Sequence, residues 1–556
     1  MKGPAKVFEE VADALVQSGV HCIFGLMGED NAPLVVACVA MGIRYHPVRH
    51  ENIAVAAADG FFRATGSPGV ALVTGGPGLT NCLTALNTAH RARSSVLLLC
   101  GGGRQQEDAR EPSMVREVDR TAWLKHFSTS TVLQTAGIRC FKPDSAEGAV
   151  TATFEAVAES RYGTAVLLLS GQLLKSQGAG AVPLAQHPEP APLAPPADVV
   201  ESIADLLQET WAVRRPLILA GLGSVRSDAG RVLARLGELT GALLATTMPA
   251  KGFFHFDKYA IGVCGTYSTP VASDLITQAD CVLCFGAGLN KFTTYNNSLF
   301  PKAHIIQVDS DERALGLFMD TTVSVRADVR LTAEALVKEL ETRGHHSIGF
   351  RTRETQDALA GYSKQDGIRD KSTPTHVDTR TLVLALDRLL PADRIVCLDS
   401  GHQARFANAL MGVTSVRNFM QPGEAGAMGL GLGGAIGAQI GRPHDLVACF
   451  AGDGALAMAL GDLETTVRLK LPMLIVVMND EGFGAEVNYL VDMGLPTELA
   501  RIPAPSFSDI AVAMGAAGAT VRGIGDLGVV TRWLDEGRPG PLVLDCRVNP
   551  EIRAGG

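Results

Sequence analysis

Short apolar runs, each closed by a glycine or an acid, alternate with stretches of helical period along the whole chain. HCIFGLMG, GVALVTGGPG and SSVLLLCGGG stand in the first third, RPLILAGLG, DCVLCFGAG and AHIIQVD in the middle, and DRIVCLDSG, DLVACFAGDG and MLIVVMND in the last. Strands that are apolar throughout belong to parallel sheets covered on both faces, and their carboxyl ends are where glycines and acids gather. The pattern predicts an α/β protein of doubly wound parallel-sheet domains. Two breaks interrupt it. AQHPEPAPLAPPAD (185–198) is rich in proline and alanine and reads as an extended linker, and the polar stretch from about 341 to 379 lacks a clear period. They divide the chain into 1–184, 198–340 and 378–556. A length of 556 residues agrees with three domains, because single cores stop growing near ~250–300 residues.

The outer segments share an order of events. Residues 50–102 give a small-residue helix (HENIAVAAADGFFRATG), a strand, GGPG, a helix and a strand; residues 423–480 give GEAGAMGLGLGGAIGAQ, a strand, GDG, a helix and a strand. Two related domains flanking a third are expected. In the second of these units Leu446–Phe450 and Met473–Met478 read as strands, Gly452-Asp453-Gly454 as a turn and Ala455–Leu469 as a helix. Parallel strands joined by a right-handed crossover bring their carboxyl ends to one edge, so Asp453 and Asp480 face one small volume. The helix start adds free N–H groups suited to an anion. Two acids beside an anion need a cation, and Mg²⁺ takes hard oxygen ligands from one or two carboxylates plus phosphate. A metal-bound diphosphate satisfies all three features. The plainer reading, that Asp453 only caps a helix, accounts for GDG but not for Asp480.

Composition narrows the field. The net charge of −9 is spread out and no Lys/Arg-rich run follows a phosphate backbone, so nucleic acid is not an expected partner. MKGPAKVFEEVADALVQSGV reads as an amphipathic helix rather than a signal segment, and no run approaches a membrane span; the expected location is cytoplasmic. Eleven cysteines, mostly inside apolar strands, fit buried thiols in a reducing compartment. Cys281 and Cys284 form a CxxC, but with apolar flanks and no second pair they read as packing residues, and no zinc site is expected.

On HENIAVAAADGFFRATG in the first segment and GDG with ND in the last, the chain resembles the thiamine diphosphate enzymes of the acetohydroxyacid synthase, pyruvate oxidase and pyruvate decarboxylase group over essentially its full length. The resemblance implies a pyrimidine-binding domain, a middle domain and a diphosphate-binding domain. It implies that Asp453, the Asp480 side chain and the Gly482 carbonyl hold Mg²⁺, with Gly452, Gly454 and Ala455 around the diphosphate. The family more often has Asn where Asp480 stands; Asp offers the same oxygen with more charge. Glu51 matches the glutamate that bonds the aminopyrimidine and so activates thiazolium C2, which requires a carboxyl group in a desolvated place. Met428 matches the bulky residue that props the bent cofactor, the Gly426 carbonyl accepts from the 4′-amino group, and His402 and Gln403 match diphosphate-contacting positions. Glu29 in FGLMGEDN and Glu486 in NDEGFGAEV fall where the decarboxylases carry acids over the reactive carbon; Asp30 is the alternative to Glu29, and a plain exposed helix position the alternative for Glu486.

The departures matter equally. The decarboxylases' paired histidines are missing, and where the synthases and oxidases have Q-E-x-D this chain reads R-E-V-D (116–119), placing Arg116 at a substrate-pocket position where a guanidinium suits a carboxylate, unless it is only a surface arginine. In the middle segment GVCGTYS (262–268) and FGAGLNKFTT (285–294) stand where relatives bind FAD, but the R-F-D-D-R pattern is lacking and flavin is not the expected cofactor. The implied reaction is decarboxylation of a 2-oxo acid, followed by protonation of the enamine or its addition to an acceptor carbonyl. C–C cleavage of a diketone on the same cofactor is the near alternative. A non-catalytic nucleotide-binding relative would have no need of Glu51, Asp453 and Asp480 together, and a nicotinamide enzyme would need a strand-GxGxxG-helix unit that is not apparent. By resemblance the active site forms between two chains, so a homodimer or homotetramer is expected.

Overall fold

A computed structural model of the chain describes residues 5–102, 133–180, 191–209 and 214–554. Among them lie three six-stranded sheets in which all pairings are parallel. The first holds β1 Cys22–Gly25, β2 Arg44–Pro47, β3 Gly69–Val73, β4 Val96–Gly102, β5 Arg139–Phe141 and β6 Thr164–Ser170, in the order β2-β1-β3-β4-β6-β5. The second holds β7 Pro216–Ala220, β8 Leu243–Thr246, β9 Ala260–Val263, β10 Cys281–Phe285, β11 His304–Asp309 and β12 Val323–Arg326, in the order β12-β11-β10-β7-β8-β9. The third holds β13 Ile395–Leu398, β14 Phe419–Met420, β15 Val447–Gly452, β16 Leu474–Asn479, β17 Ala517–Val521 and β18 Leu542–Arg547. Its order, β14-β13-β15-β16-β18-β17, repeats that of the first sheet strand for strand. The middle sheet is wound differently.

The helices that place the site are α1 Glu51–Thr65, α2 Pro77–Arg91, α3 Gly431–Gly441, α4 Asp453–Met458, α5 Leu463–Arg468 and α6 Gly484–Asp492. Small residues let α1 and α3 meet backbone to backbone. A Cβ on Gly60 would lie 2.0 Å from the Gly434 carbonyl oxygen, and one on Gly437 only 1.8 Å from that of Ala57. This crossing fuses two segments: Ala57, Phe61 and Leu86 share one hydrophobic cluster with Leu432, Ile436 and Ile475. The middle sheet keeps its own clusters, such as Leu233 with Leu336 on one face and Ile261 with Ile276 on the other. Its docking contacts include Arg226 Nη2 donating to the Ala92 carbonyl at 2.6 Å, Arg93 paired with Asp311 at 2.6 Å, Lys251 Nζ donating to the Asn408 carbonyl, and Met248 packed against the third segment's cluster.

Two expectations need correction. The helix expected over Ala455–Leu469 begins earlier, at Asp453 directly after β15, and is broken into α4, a 3₁₀ turn at Leu460–Asp462, and α5. The break follows from Asp462, whose buried carboxylate turns away to accept the Arg49 N–H at 2.8 Å from the first segment and the Thr465 hydroxyl at 2.8 Å. The polar stretch 341–379 contains a helix, Arg353–Gly361, capped by Thr352; its largely exposed surface hid the period. In the first linker the chain is irregular from 191 to 196, and a helix begins at Ala197. Cys281 and Cys284 are fully buried free thiols within β10, and burial pushes the Cys281 thiol up to about 12, as befits packing residues. No helix among the described residues is long and apolar enough to cross a membrane.

Candidate functional site

β15 and β16 are neighbours in the third sheet, and their carboxyl ends deliver Asp453 and Asp480 to one pocket. Both side chains are buried. The Gly482 N–H donates to Asp453 Oδ2 at 3.2 Å, and Gln403 Nε2 donates to Asp480 Oδ2 at 2.6 Å. Burial raises both carboxyl groups, Asp453 to about 6 against opposing N–H groups of Gly454 and Gly482, and Asp480 to about 7 with the charge of Asp453 adding to the rise. Exposed Arg501 gives only a small opposing pull. Two desolvated acids, one of them raised further by the charge of the other, fit a divalent cation, which would restore both charges. No cluster of three or more His, Cys, Asp or Glu side chains suited to a metal occurs among the described residues, so a cation here needs backbone and ligand oxygens as well.

The walls of the pocket are set by glycine. A Cβ on Gly484 would stand 2.3 Å from Asp480 Oδ2 and 3.3 Å from the His402 ring, and one on Gly454 3.1 Å from the Phe483 ring, whereas the Cβ side of Gly452 is open space. Ala455 is buried within α4. Because α4 has six residues, the favourable field at its start comes from the first-turn N–H groups rather than from a long dipole. His402 is buried and held below its usual pKa by desolvation; its Nε2 lies 3.2 Å from the Ile552 carbonyl and Asn488 Nδ2 lies 3.3 Å from Nδ1. In this arrangement the donors of His402 and Gln403 are turned to Ile552 and Asp480.

Glu51 opens α1, behind His50, whose Nδ1 accepts the Asn52 N–H. It is half-buried, and Asn81 Nδ2 of α2 donates to its Oε2 at 3.0 Å. Gly426 (φ +66°) and Gly429 (φ +81°) bracket half-buried Met428 in the turn before α3. That turn is tied to the first segment: Arg63 of α1 pairs with Asp59 at 2.9 Å and Glu424 at 3.1 Å, and Arg91 of α2 donates to the Glu424 carbonyl at 2.8 Å. Glu29 and Glu486 are exposed, the latter in the first turn of α6. Asp30 is occupied: its Oδ2 accepts the Gly75 N–H at 2.8 Å, and it fills space that Gly101 and Gly171 leave by lacking side chains. Arg116 lies outside the described residues.

Sequence reasoning missed Asn81, Arg63, Glu424, Asp399 and Gly484. Gly484 carried a signal, a glycine just past the second acid, and Asp399 closes the apolar run DRIVCLD; the others become meaningful once distant elements meet.

Parallel doubly wound sheets with buried acids at their carboxyl ends define an enzyme that binds a phosphate-bearing cofactor at the strand ends. Comparison makes this specific. Family models match in three consecutive parts: the thiamine pyrophosphate enzyme N-terminal TPP binding domain at residues 5–123, the central domain at 200–336 and the C-terminal TPP binding domain at 399–546. The chain belongs to the thiamine pyrophosphate enzymes, and it is a thiamine diphosphate-dependent enzyme of the lyase and transferase types. Its relatives include a sulfoacetaldehyde acetyltransferase from Castellaniella defragrans, 29% identical over 94% of this chain and 89% of that protein. Acetolactate synthase 1 from Nicotiana tabacum is 26% identical over 100% of this chain and 84% of its own. A probable 2-ketoarginine decarboxylase from Pseudomonas aeruginosa is 26% identical over 96% and 92%.

Proposed function

We propose that this enzyme decarboxylates a 2-oxo acid and either protonates the remaining fragment or joins it to an acceptor carbonyl. The observation that carries the reading is the buried pair Asp453 and Asp480 at adjacent strand ends, open to a ligand beside Gly452. When bound, thiamine diphosphate supplies an electron sink for the charge left when CO₂ departs. Asp453, Asp480 and the Gly482 carbonyl would hold Mg²⁺, with Gln403 fixing Asp480 by its amide. Glu51, oriented by Asn81, would hold and release a proton at its carboxyl group. Met428 and Gly426 would shape the bed for the organic part, and exposed Glu29 and Glu486 would meet later protons on the bound fragment. Arg116 remains the proposed partner of a substrate carboxylate.

FAD is not the expected cofactor of the middle domain. The loops after β7 and β10, at the switch in strand order where such sheets take dinucleotides, are packed on one another. A Cβ on Gly223 would lie 2.6 Å from the Gly286 Cα, and the Gly223 N–H donates to the Gly286 carbonyl at 3.0 Å. The purified protein is therefore expected to be colourless, and a flavin spectrum would overturn this part.

A partner chain is also part of the proposal. Met458, Tyr489, Met493 and Leu499 are exposed apolar side chains on elements that follow the two acids in the chain, from α4 to just past α6, a surface that favours covering by a second copy. A homodimer or homotetramer is expected in sedimentation; an active monomer would contradict it. The eleven free thiols suit a reducing compartment such as the cytoplasm.

The decisive experiment measures CO₂ from aliphatic, aromatic, acidic and guanidinium-bearing 2-oxo acids, and products from sulfoacetaldehyde, with and without thiamine diphosphate and Mg²⁺. Cofactor-dependent CO₂ with an aldehyde or hydroxyketone is expected; cofactor binding without turnover of any of them would overturn the reading. Glu51→Gln should keep cofactor binding and lose about 10²–10⁴ in turnover, the span of a proton-transferring group.

A further inference from the structure

Asp399 follows β13 and is 1% exposed, inside an otherwise apolar region. Its carboxylate accepts three backbone N–H groups: those of Ser400 at 2.7 Å and Gly429 at 2.9 Å on Oδ1, and that of Gly431 at 2.7 Å on Oδ2. Its own N–H donates to the Phe450 carbonyl of β15 at 2.8 Å, on the strand that ends in Gly452 and Asp453. One residue thus joins the strand bearing the first acid of the pocket to the turn bearing Met428. The fit is close: a Cβ on Gly431 would stand 2.8 Å from the Asp399 Cβ.

A helix cap for α3 would need only the bond to Gly431. The bond to Gly429, outside the helix and in the left-handed region, is superfluous for capping, and a buried carboxylate costs several kcal/mol unless its oxygens are bonded. What both bonds accomplish together is to fix the Met428–Gly429 and Leu430–Gly431 peptides to the residue that follows β13, which anchors the end of the turn from Gly426 to Gly429. Met428 reaches its place through that turn.

We propose that Asp399 is the positioning residue for the Gly426–Gly429 turn, holding Met428 and the Gly426 carbonyl in register with the acid pair; this rests on the thiamine diphosphate reading of the site. The residue touches neither cofactor nor substrate and acts through the backbone it grips. Asn in its place keeps the shape but presents an amide donor to one of the N–H groups, so one bond is lost and a donor faces a donor.

The test is amide exchange on the full-length protein without cofactor, with kinetics alongside. In the wild type the Gly429 and Gly431 amides should exchange slowly, although Gly429 lies outside any helix. In Asp399→Asn, exchange over 426–431 should rise about tenfold, the effect of one lost charge-assisted bond, while β13 and the body of α3 keep their protection. In the same variant kcat should fall at least about tenfold with KM for the 2-oxo acid unchanged. Unaltered exchange over 426–431, or loss of protection spreading through β13 and α3, overturns the proposal, the second result marking a merely structural acid. If the variant does not fold, the wild type decides alone: a Gly429 amide exchanging as fast as exposed Gly426 overturns it. A wild type that binds no thiamine diphosphate would instead sink the functional reading, and the exchange results would still stand.

Discussion

Asp480 shares its pocket with Asp453 and is raised by it, so the second negative charge is a burden there as well as a ligand. Asp480→Asn keeps a carbonyl oxygen and removes the repulsion. It is expected to retain Mg²⁺- and thiamine diphosphate-dependent activity within about tenfold, whereas Asp480→Ala should weaken metal binding by about 100-fold or more, both read from metal titration of turnover. His46 makes a separate prediction. Burial, helped by Arg44, holds it down at about 4; it stacks on Phe24 at 5.5 Å, and its buried Nε2 has no hydrogen-bond partner among the described residues. Its folded pKa lies below the unfolded value near ~6.5, so the unfolded chain takes the proton first on acidification. The stability from neutral His46 is complete above about pH 6.5 and is lost as pH falls toward 4. Between pH 7 and 5 the wild type should lose about 1–2 kcal/mol more than His46→Phe in denaturant midpoints; equal losses would remove His46 from the account. At this scale the sequence shows the acids, because each ends an apolar run. The roles of Asn81 and Asp399 were illegible because their partners lie tens of residues away.

Between α1 and α3 the spacing is set by absent side chains. Gly437→Ala puts a methyl group 1.8 Å from the Ala57 carbonyl oxygen, a contact that backbone atoms relieve only by parting the helices. It should cost about 1–3 kcal/mol or more, while Gly540→Ala, whose Cβ meets open space, should stay within about 0.5 kcal/mol; thermal melting of both checks this. Existence and type of most elements were legible, since apolar strands and small-residue helices declare themselves locally. The break between α4 and α5 was not, because it is caused by an N–H of Arg49 contributed from the other end of the chain.

At the scale of the whole chain, three segments are not three cooperative units. The outer two share one hydrophobic interior through α1 and α3, and the middle sheet has its own. Scanning calorimetry should resolve two transitions rather than three, and Gly437→Ala should lower one of them alone; three separate transitions would contradict the shared interior. The order β2-β1-β3-β4-β6-β5, repeated in the third sheet, was foreshadowed by the common run of helix, strand, glycine turn, helix and strand. How the two sheets face one another was not, since a crossing is written in pairs of positions and a sequence in single ones.

The separate core of the middle sheet has a further consequence. The chain leaves the interior shared by the outer sheets, builds an independently filled body, and returns to finish the interior it left, so topologically the middle third is an insert. Inserts of this kind tolerate exchange: a foreign body whose ends match in spacing and which offers partners to Ala92, Arg93 and Asn408 could replace it with the outer pair still closing. Novelty in regulation or assembly would then enter through the middle third, while Gly60 and Gly437, with no slack on either side, are the positions least free to drift.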